Sequence, residues 1–139
     1  YVVAAADAKM CLAFVRIGLV PDLAGRFSLS NRVGPAKAKE LTLRTNEVRA
    51  EEAERIGLVN RVVEPGRTLE AAMEVAREFA SKPPIAFALA KASFAQGMDS
   101  LDASLRNEVD YQALLGTTED HHEATTAFLE KRKPKFSGK

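Results

Sequence analysis

Apolar and polar positions along the chain change period several times, and each change marks an element. The opening residues Tyr1-Val2-Val3-Ala4-Ala5-Ala6 are apolar and partly β-branched, as expected of a strand. A mixed apolar stretch follows over residues 10–15. Next comes Gly18-Leu19-Val20-Pro21-Asp22-Leu23-Ala24-Gly25, where two glycines and a proline around one acid mark a shaped loop. Residues 27–45 carry apolar positions at helical spacing, interrupted at Gly34-Pro35. That pattern predicts a short helix, a break, and a second helix opening on Pro35, a residue suited to the first helical turn.

Residues 50–56 predict a short helix stopped by Gly57, and the β-branched run 58–63 a strand or extended connection. Thr68 then caps a longer helix whose apolar face is Leu69, Ala72, Ala76, Phe79 and Ala80, with Glu70 near the positive end of its dipole. Pro83-Pro84 stops it and starts the next, residues 85–96, which Gly97 ends. Ser100 caps another helix, with Leu101, Leu105 and Val109 on one side, closed by Gly116. Thr117 or Thr118 begins the last, which carries Ala124, Ala127 and Phe128. Lys131, Arg132 and Lys133 lie at its negative end, before Pro134.

The pattern predicts a strand or two followed by many helices, without internal repeats or low-complexity tracts. A lone strand has no pairing partner for its backbone groups. Something outside the sequence is therefore expected to complete the sheet. The chain also opens without Met, as a strand already under way, which points to a missing front.

Composition narrows the class without naming a function. The 139 residues are 46% hydrophobic and 28% charged, normal for a globular domain with a real core. Twenty Lys and Arg against nineteen Asp and Glu leave a formal charge of +1. That balance offers no general attraction to nucleic acid or anionic membranes. One cysteine, Cys11, allows no internal disulfide, so a reducing, cytoplasmic setting is expected. No apolar run reaches the length of a membrane span.

Three ordered motifs carry a family resemblance over nearly the whole chain. The first is Ala6-Asp7-Ala8-Lys9-Met10 with Arg16-Ile17-Gly18-Leu19-Val20-Pro21-Asp22-Leu23-Ala24-Gly25. The second is Ala50-Glu51-Glu52-Ala53-Glu54-Arg55-Ile56-Gly57-Leu58-Val59-Asn60-Arg61-Val62-Val63. The third is Ala127-Phe128-Leu129-Glu130-Lys131-Arg132-Lys133-Pro134-Lys135-Phe136. Together they resemble the C-terminal half of the crotonase (enoyl-CoA hydratase/isomerase) superfamily, and within it the branch of phenylacetyl-CoA catabolic isomerases.

The resemblance implies an α/β fold: the C-terminal portion of a ClpP/crotonase-like ββα spiral, with the last strands of the core plus a mostly helical trimerisation region. Residues 1–66 would end the spiral core and carry the active-site loop; residues 67–139 would form the helical, CoA-covering region. A complete family subunit is about twice this long, and its front half supplies both backbone N–H donors of the oxyanion hole. Those donors hold the thioester oxygen as it becomes an enolate. No metal or redox cofactor is implied, since CoA arrives with the substrate. The implied partners are an acyl-CoA thioester and further copies of the chain in a trimer or hexamer, or else the missing N-terminal half.

Asp22 matches the position of an isomerase acid in this resemblance. A single carboxylate held over the acyl chain in a largely dry pocket can remove a proton and return it elsewhere. Leu23, Ala24 and Phe27 would shape the acyl pocket. The competing reading is that Asp22 caps the helix that follows. A hydratase needs a second acid, and Phe14 stands at its glutamate position. Leu23-Ala24 replaces frequent glycines, and Ser30-Asn31 replaces a common Pro-Arg.

Phe128 and Lys131 match residues that reach a neighbouring subunit's CoA, with the ammonium directed to phosphate. Their three-residue spacing puts them on one side of a helix; locally they also read as a core aromatic and a dipole-complementing charge. His121-His122 has no further ligand cluster, so no metal site is expected. Cys11 lies in an apolar run with no nearby His, so it reads as a buried structural thiol and not a nucleophile. The basic tail, residues 131–139, has five basic residues and no aromatic platform beyond Phe136 in a near-neutral chain, so neither a nucleic-acid nor a membrane partner is expected. A non-catalytic helical assembly module remains the alternative to an enzyme.

Overall fold

The computed structural model describes residues 1–96 and 100–139. The stop expected at Gly97 lies outside the described residues. Two compact units emerge, Tyr1–Glu74 and Val75–Lys139.

The first unit pairs its own strands. β1 (Val3–Ala5) runs parallel to β4 (Arg61–Val63), with Ala4 opposite Val62. Asn60 extends the pairing on both of its faces, donating its N–H to the Val2 carbonyl (2.9 Å) while its Oδ1 accepts from the Val2 N–H (2.8 Å). β2 (Lys9–Met10) runs antiparallel to β3 (Val48–Arg49), and Lys9 and Glu47 form an ion pair of 3.0 Å beside it. The opening strand is therefore not alone, because Arg61-Val62-Val63 returns to it from about sixty residues away and satisfies backbone groups that would otherwise lack partners. This corrects the expectation of a strand or two: the described residues hold four short strands in two two-stranded sheets.

Helices α1 (Gly25–Val33) and α2 (Pro35–Arg44) follow the predicted break. Gly34 makes it at a φ of 78°, a left-handed conformation that favours glycine, and Pro35 opens α2. Helix α3 (Ala50–Arg55) closes through Gly57 at a φ of 78°. The core of this unit is built from Ala4, Leu29, Ala38, Leu41, Val48, Ala53 and Val59. Alanine at three of these seven positions lets backbones approach closely, at the cost of a small apolar payload.

Helix α4 (Thr68–Ala80) runs across the unit boundary. Of its predicted apolar face, Leu69, Ala72, Ala76 and Ala80 are exposed; Ala71 is the buried residue, and Phe79 is half-buried. Periodicity identifies a face suited to burial, not the surface that covers it.

The second unit contains α5 (Pro84–Gln96), α6 (Leu101–Leu115) and α7 (Glu119–Leu129). Phe79 packs on Phe87 with ring centroids 5.3 Å apart. Ser100 caps α6 by accepting from the Ala103 N–H, and Thr118 caps α7 by accepting from the His121 N–H, as their residue types predict. The expected apolar side of α6, formed by Leu101, Leu105 and Val109, is exposed. Among the described residues, no helix is long and apolar enough to cross a membrane.

Candidate active site

A 3-10 turn, Phe14–Ile17, leads into the loop that carries Asp22. Gly18 closes the turn at a φ of 74°, and its N–H donates to the Val15 carbonyl while that of Leu19 donates to Phe14. The loop then ends in two consecutive left-handed residues, Leu23 (φ 47°) and Ala24 (φ 58°). The Gly25 N–H donates to the Asp22 carbonyl at 2.7 Å, and the Ser28 N–H to that of Ala24 at 2.9 Å. Asp22 thus gives the start of α1 its main-chain carbonyl. Helix α1 has Ala24 at its cap and no side-chain cap bond. Among the described residues, no hydrogen bond or ion pair engages the Asp22 carboxylate.

All four residues expected around the reaction are exposed. Leu23 is 94% and Phe27 60% accessible, and Asp22 and Ala24 are exposed with them. The dry pocket expected over Asp22 is not made by the described residues of this chain. Instead they form an open acidic and apolar patch at the start of α1. Phe14 is half-buried in the preceding turn.

A second group of contacts, not anticipated from the sequence, fastens this loop. Thr45 ends α2 at a φ of 51° and is only 7% accessible. Its Oγ1 accepts from Arg16 Nε at 2.9 Å, and its carbonyl accepts from Arg16 Nη2 and, at 3.2 Å, from the Cys11 thiol. Cys11 itself is exposed, which corrects the expected burial: Met10 and Leu12 on either side pack against the core, and Cys11 between them does not. A guanidinium at the C-terminal end of a helix also meets the negative end of its dipole. The one available signal was a threonine at the end of a predicted helix, too common a feature to single out.

In the second unit, Phe128 is 82% accessible near the end of α7. The helix stops at Leu129, and Lys131 lies beyond it at a φ of 54°. The two side chains therefore do not share a helical face, which corrects the spacing argument: three-residue spacing aligns residues only while the helix continues. The Lys131 N–H still donates to the Phe128 carbonyl at 3.2 Å.

The tail that follows is held by acids of α7. Asp120, 3% accessible, accepts from the N–H groups of Ser137 (2.6 Å) and Gly138 (3.0 Å). Glu123 accepts from both terminal nitrogens of Arg132 (2.6 and 2.8 Å) and from the Lys135 N–H (2.8 Å). The Arg132 guanidinium, helped by the Lys135 N–H, lowers the Glu123 carboxyl from 4.5 to about 2. Part of the tail's basic charge is thereby matched within its own unit. The rings of His121 and His122 lie 5.9 Å apart, and no group of three metal-ligating side chains occurs among the described residues.

The family described as enoyl-CoA hydratase/isomerase matches residues 1–139. The chain belongs to the enoyl-CoA hydratase/isomerase family. Among curated relatives of this family, it is 37% identical to 1,2-epoxyphenylacetyl-CoA isomerase of Escherichia coli, over 99% of this chain and 53% of that protein. It is 39% identical to crotonyl-CoA hydratase of Syntrophomonas wolfei, over the same shares of each. The crystal structure of an enoyl-CoA hydratase subunit from Geobacillus kaustophilus superposes with a TM-score of 0.92 at 37% identity, covering 99% of this chain and 54% of that one.

The chain spans about half the length of the curated relatives it matches. The family match takes in every residue from 1 to 139. That extent, and not a C-terminal position, is what the match gives. The expected placement as a C-terminal half, and the fold description built on it, are set aside. Nor does identity single out an isomerase branch, since relatives named isomerase and hydratase match equally well.

Proposed function

We propose that the chain is the acid-bearing part of an acyl-CoA isomerase, in which Asp22 shifts a double bond by proton transfer. The observation that carries this reading is the Asp22 carboxylate itself. It is exposed, engages no partner among the described residues, and does not cap α1. Capping was the competing reading of an acid at this position, and α1 is met by the Asp22 main-chain carbonyl and not by its carboxylate.

In the proposed reaction, the carboxylate takes a proton from the carbon beside the thioester. The electron pair of that C–H bond delocalises into the thioester, giving an enolate conjugated with the double bond. The resulting carboxylic acid then returns its proton at the far end of the conjugated system. The enolate oxygen needs hydrogen-bond donors. They are proposed to come from the part of the family's length that this chain does not span, so residues 1–139 alone are expected to be inactive. Leu23, Ala24 and Phe27 would meet the acyl chain once a further surface covers them.

Phe128 and Lys131 are proposed to contact CoA, with the Lys131 ammonium paired to phosphate. The substrate brings the CoA, and no metal or redox cofactor is proposed. Assembly as a trimer or hexamer and a reducing, cytoplasmic setting complete the proposal; the single thiol, Cys11, is compatible with that setting.

Enoyl-CoA hydration is the second reading, supported by relatives named crotonyl-CoA hydratase and short-chain-enoyl-CoA hydratase at 39% and 38% identity. Phe14 at the second-acid position weighs against it. The test is Asp22→Asn in the protein that carries this chain. Isomerase turnover is expected to fall by about 10²- to 10⁴-fold, the usual contribution of a general acid–base group. Unchanged isomerisation would remove Asp22 from the mechanism, and strong hydration of crotonyl-CoA would favour the second reading.

A further inference from the structure

We infer that Arg16 is a positioning residue for the Asp22 loop, acting through its clamp on Thr45; the inference rests on the catalytic role proposed for Asp22. The 3-10 turn and the loop after it have few buried anchors. No residue of Phe14–Ile17 is buried, and residues 18–20 are all exposed. By contrast, Leu41 and Thr45 at the end of α2 are buried, and Leu41 belongs to the core. Arg16 joins the two regions through both faces of one residue, its Nε donating to Thr45 Oγ1 and its Nη2 to the Thr45 carbonyl.

The left-handed conformation of Thr45 is part of the device. The Thr45 N–H closes α2 by donating to the Leu41 carbonyl at 3.2 Å. With that bond made, the Thr45 carbonyl is left to accept from Arg16 and from the Cys11 thiol, on the segment leading into the turn. Two points on the chain before Asp22 are thereby held against the core-packed end of one helix. From Arg16 the constraint passes through the bonds Gly18 N–H to Val15 and Leu19 N–H to Phe14, and Asp22 follows three residues later. Planar, charge-assisted donors suit this task because two bonds fix direction as well as distance.

Hydrogen exchange on Arg16→Met tests the inference, with turnover measured in the protein that carries this chain. Exchange at the Gly18, Leu19 and Gly25 amides should accelerate by about tenfold or more, the scale of losing hydrogen bonds to a charged group. Exchange at Ala38, within α2, should stay as in wild type. Turnover should fall with KM kept. Arg16→Lys, which preserves a cation for the Thr45 carbonyl but not both bonds, should be intermediate, and it covers the case in which Arg16→Met fails to fold.

Unchanged exchange at Gly18, Leu19 and Gly25 would overturn the clamp. Faster exchange with unchanged turnover would overturn its role in positioning the acid. Asp22→Asn separates the two claims: it should cut turnover by about 10²- to 10⁴-fold and leave these amides at wild-type rates. Normal turnover in Asp22→Asn would defeat the catalytic reading of Asp22, while the exchange data would still decide the clamp.

Discussion

Leu23 and Ala24 spend conformational energy where the proposed chemistry needs shape. Left-handed backbone costs a non-glycine residue roughly 1–2 kcal/mol, and strain of this kind concentrates at functional loops. Leu23 is almost wholly exposed, so its side chain returns little packing energy within this chain. Leu23→Gly should therefore stabilise the fold by about 0.5–1 kcal/mol, after allowing for the greater freedom of glycine in the unfolded state. A higher urea midpoint checks this, and a lower one would show that Leu23 makes contacts that outweigh the strain. Asp22 was legible in the sequence because glycines and a proline around an acid mark a shaped loop. Thr45 was not, because its importance lies in partners 29 and 34 residues away.

Elements whose boundaries depend on local chemistry were the most legible. Gly34-Pro35, Gly57, Ser100 and Thr118 end or begin helices where their residue types predict. Thr118→Ala should cost about 1 kcal/mol, since it removes the acceptor for the His121 N–H; thermal unfolding would measure the loss. What could not be read locally was long-range pairing, above all β1 with β4, and the end of α7 before Lys131. The tail contacts of α7 give a pH dependence. The Glu123 carboxyl is lowered from 4.5 to about 2, so its charged form is favoured by folding. Its contribution is complete above 4.5 and is lost as pH falls from 4.5 through about 2. The Lys135 amide resonance should shift over that window in the wild type and not in Glu123→Gln. A wild-type amide indifferent to acid would contradict the contact.

At the scale of the whole chain, each unit leaves apolar residues open. In the first these include Leu23 and Phe27, and in the second Leu101, Leu105, Val109 and Phe128. Leu101, Leu105 and Val109 recur every four residues along one side of α6, and a contiguous exposed apolar patch marks an interaction site. The 139-residue chain alone should therefore bind a hydrophobic dye such as anilinonaphthalene sulfonate, or self-associate in sedimentation. A strictly monomeric chain that binds no dye would contradict that expectation. Family membership was legible in three ordered motifs, whereas the position of the chain within a full-length relative was read too far from an unpaired strand that proves to be paired.

The central claim is that Asp22 carries the migrating proton. The most direct measurement follows an α-dideuterated β,γ-unsaturated acyl-CoA by mass spectrometry in the protein that carries this chain. Wild type should deliver deuterium from the α-carbon of the substrate to the γ-carbon of the product, whereas Asp22→Asn should do so about 10²- to 10⁴-fold more slowly. Transfer by Asp22→Asn at the wild-type rate would contradict the account.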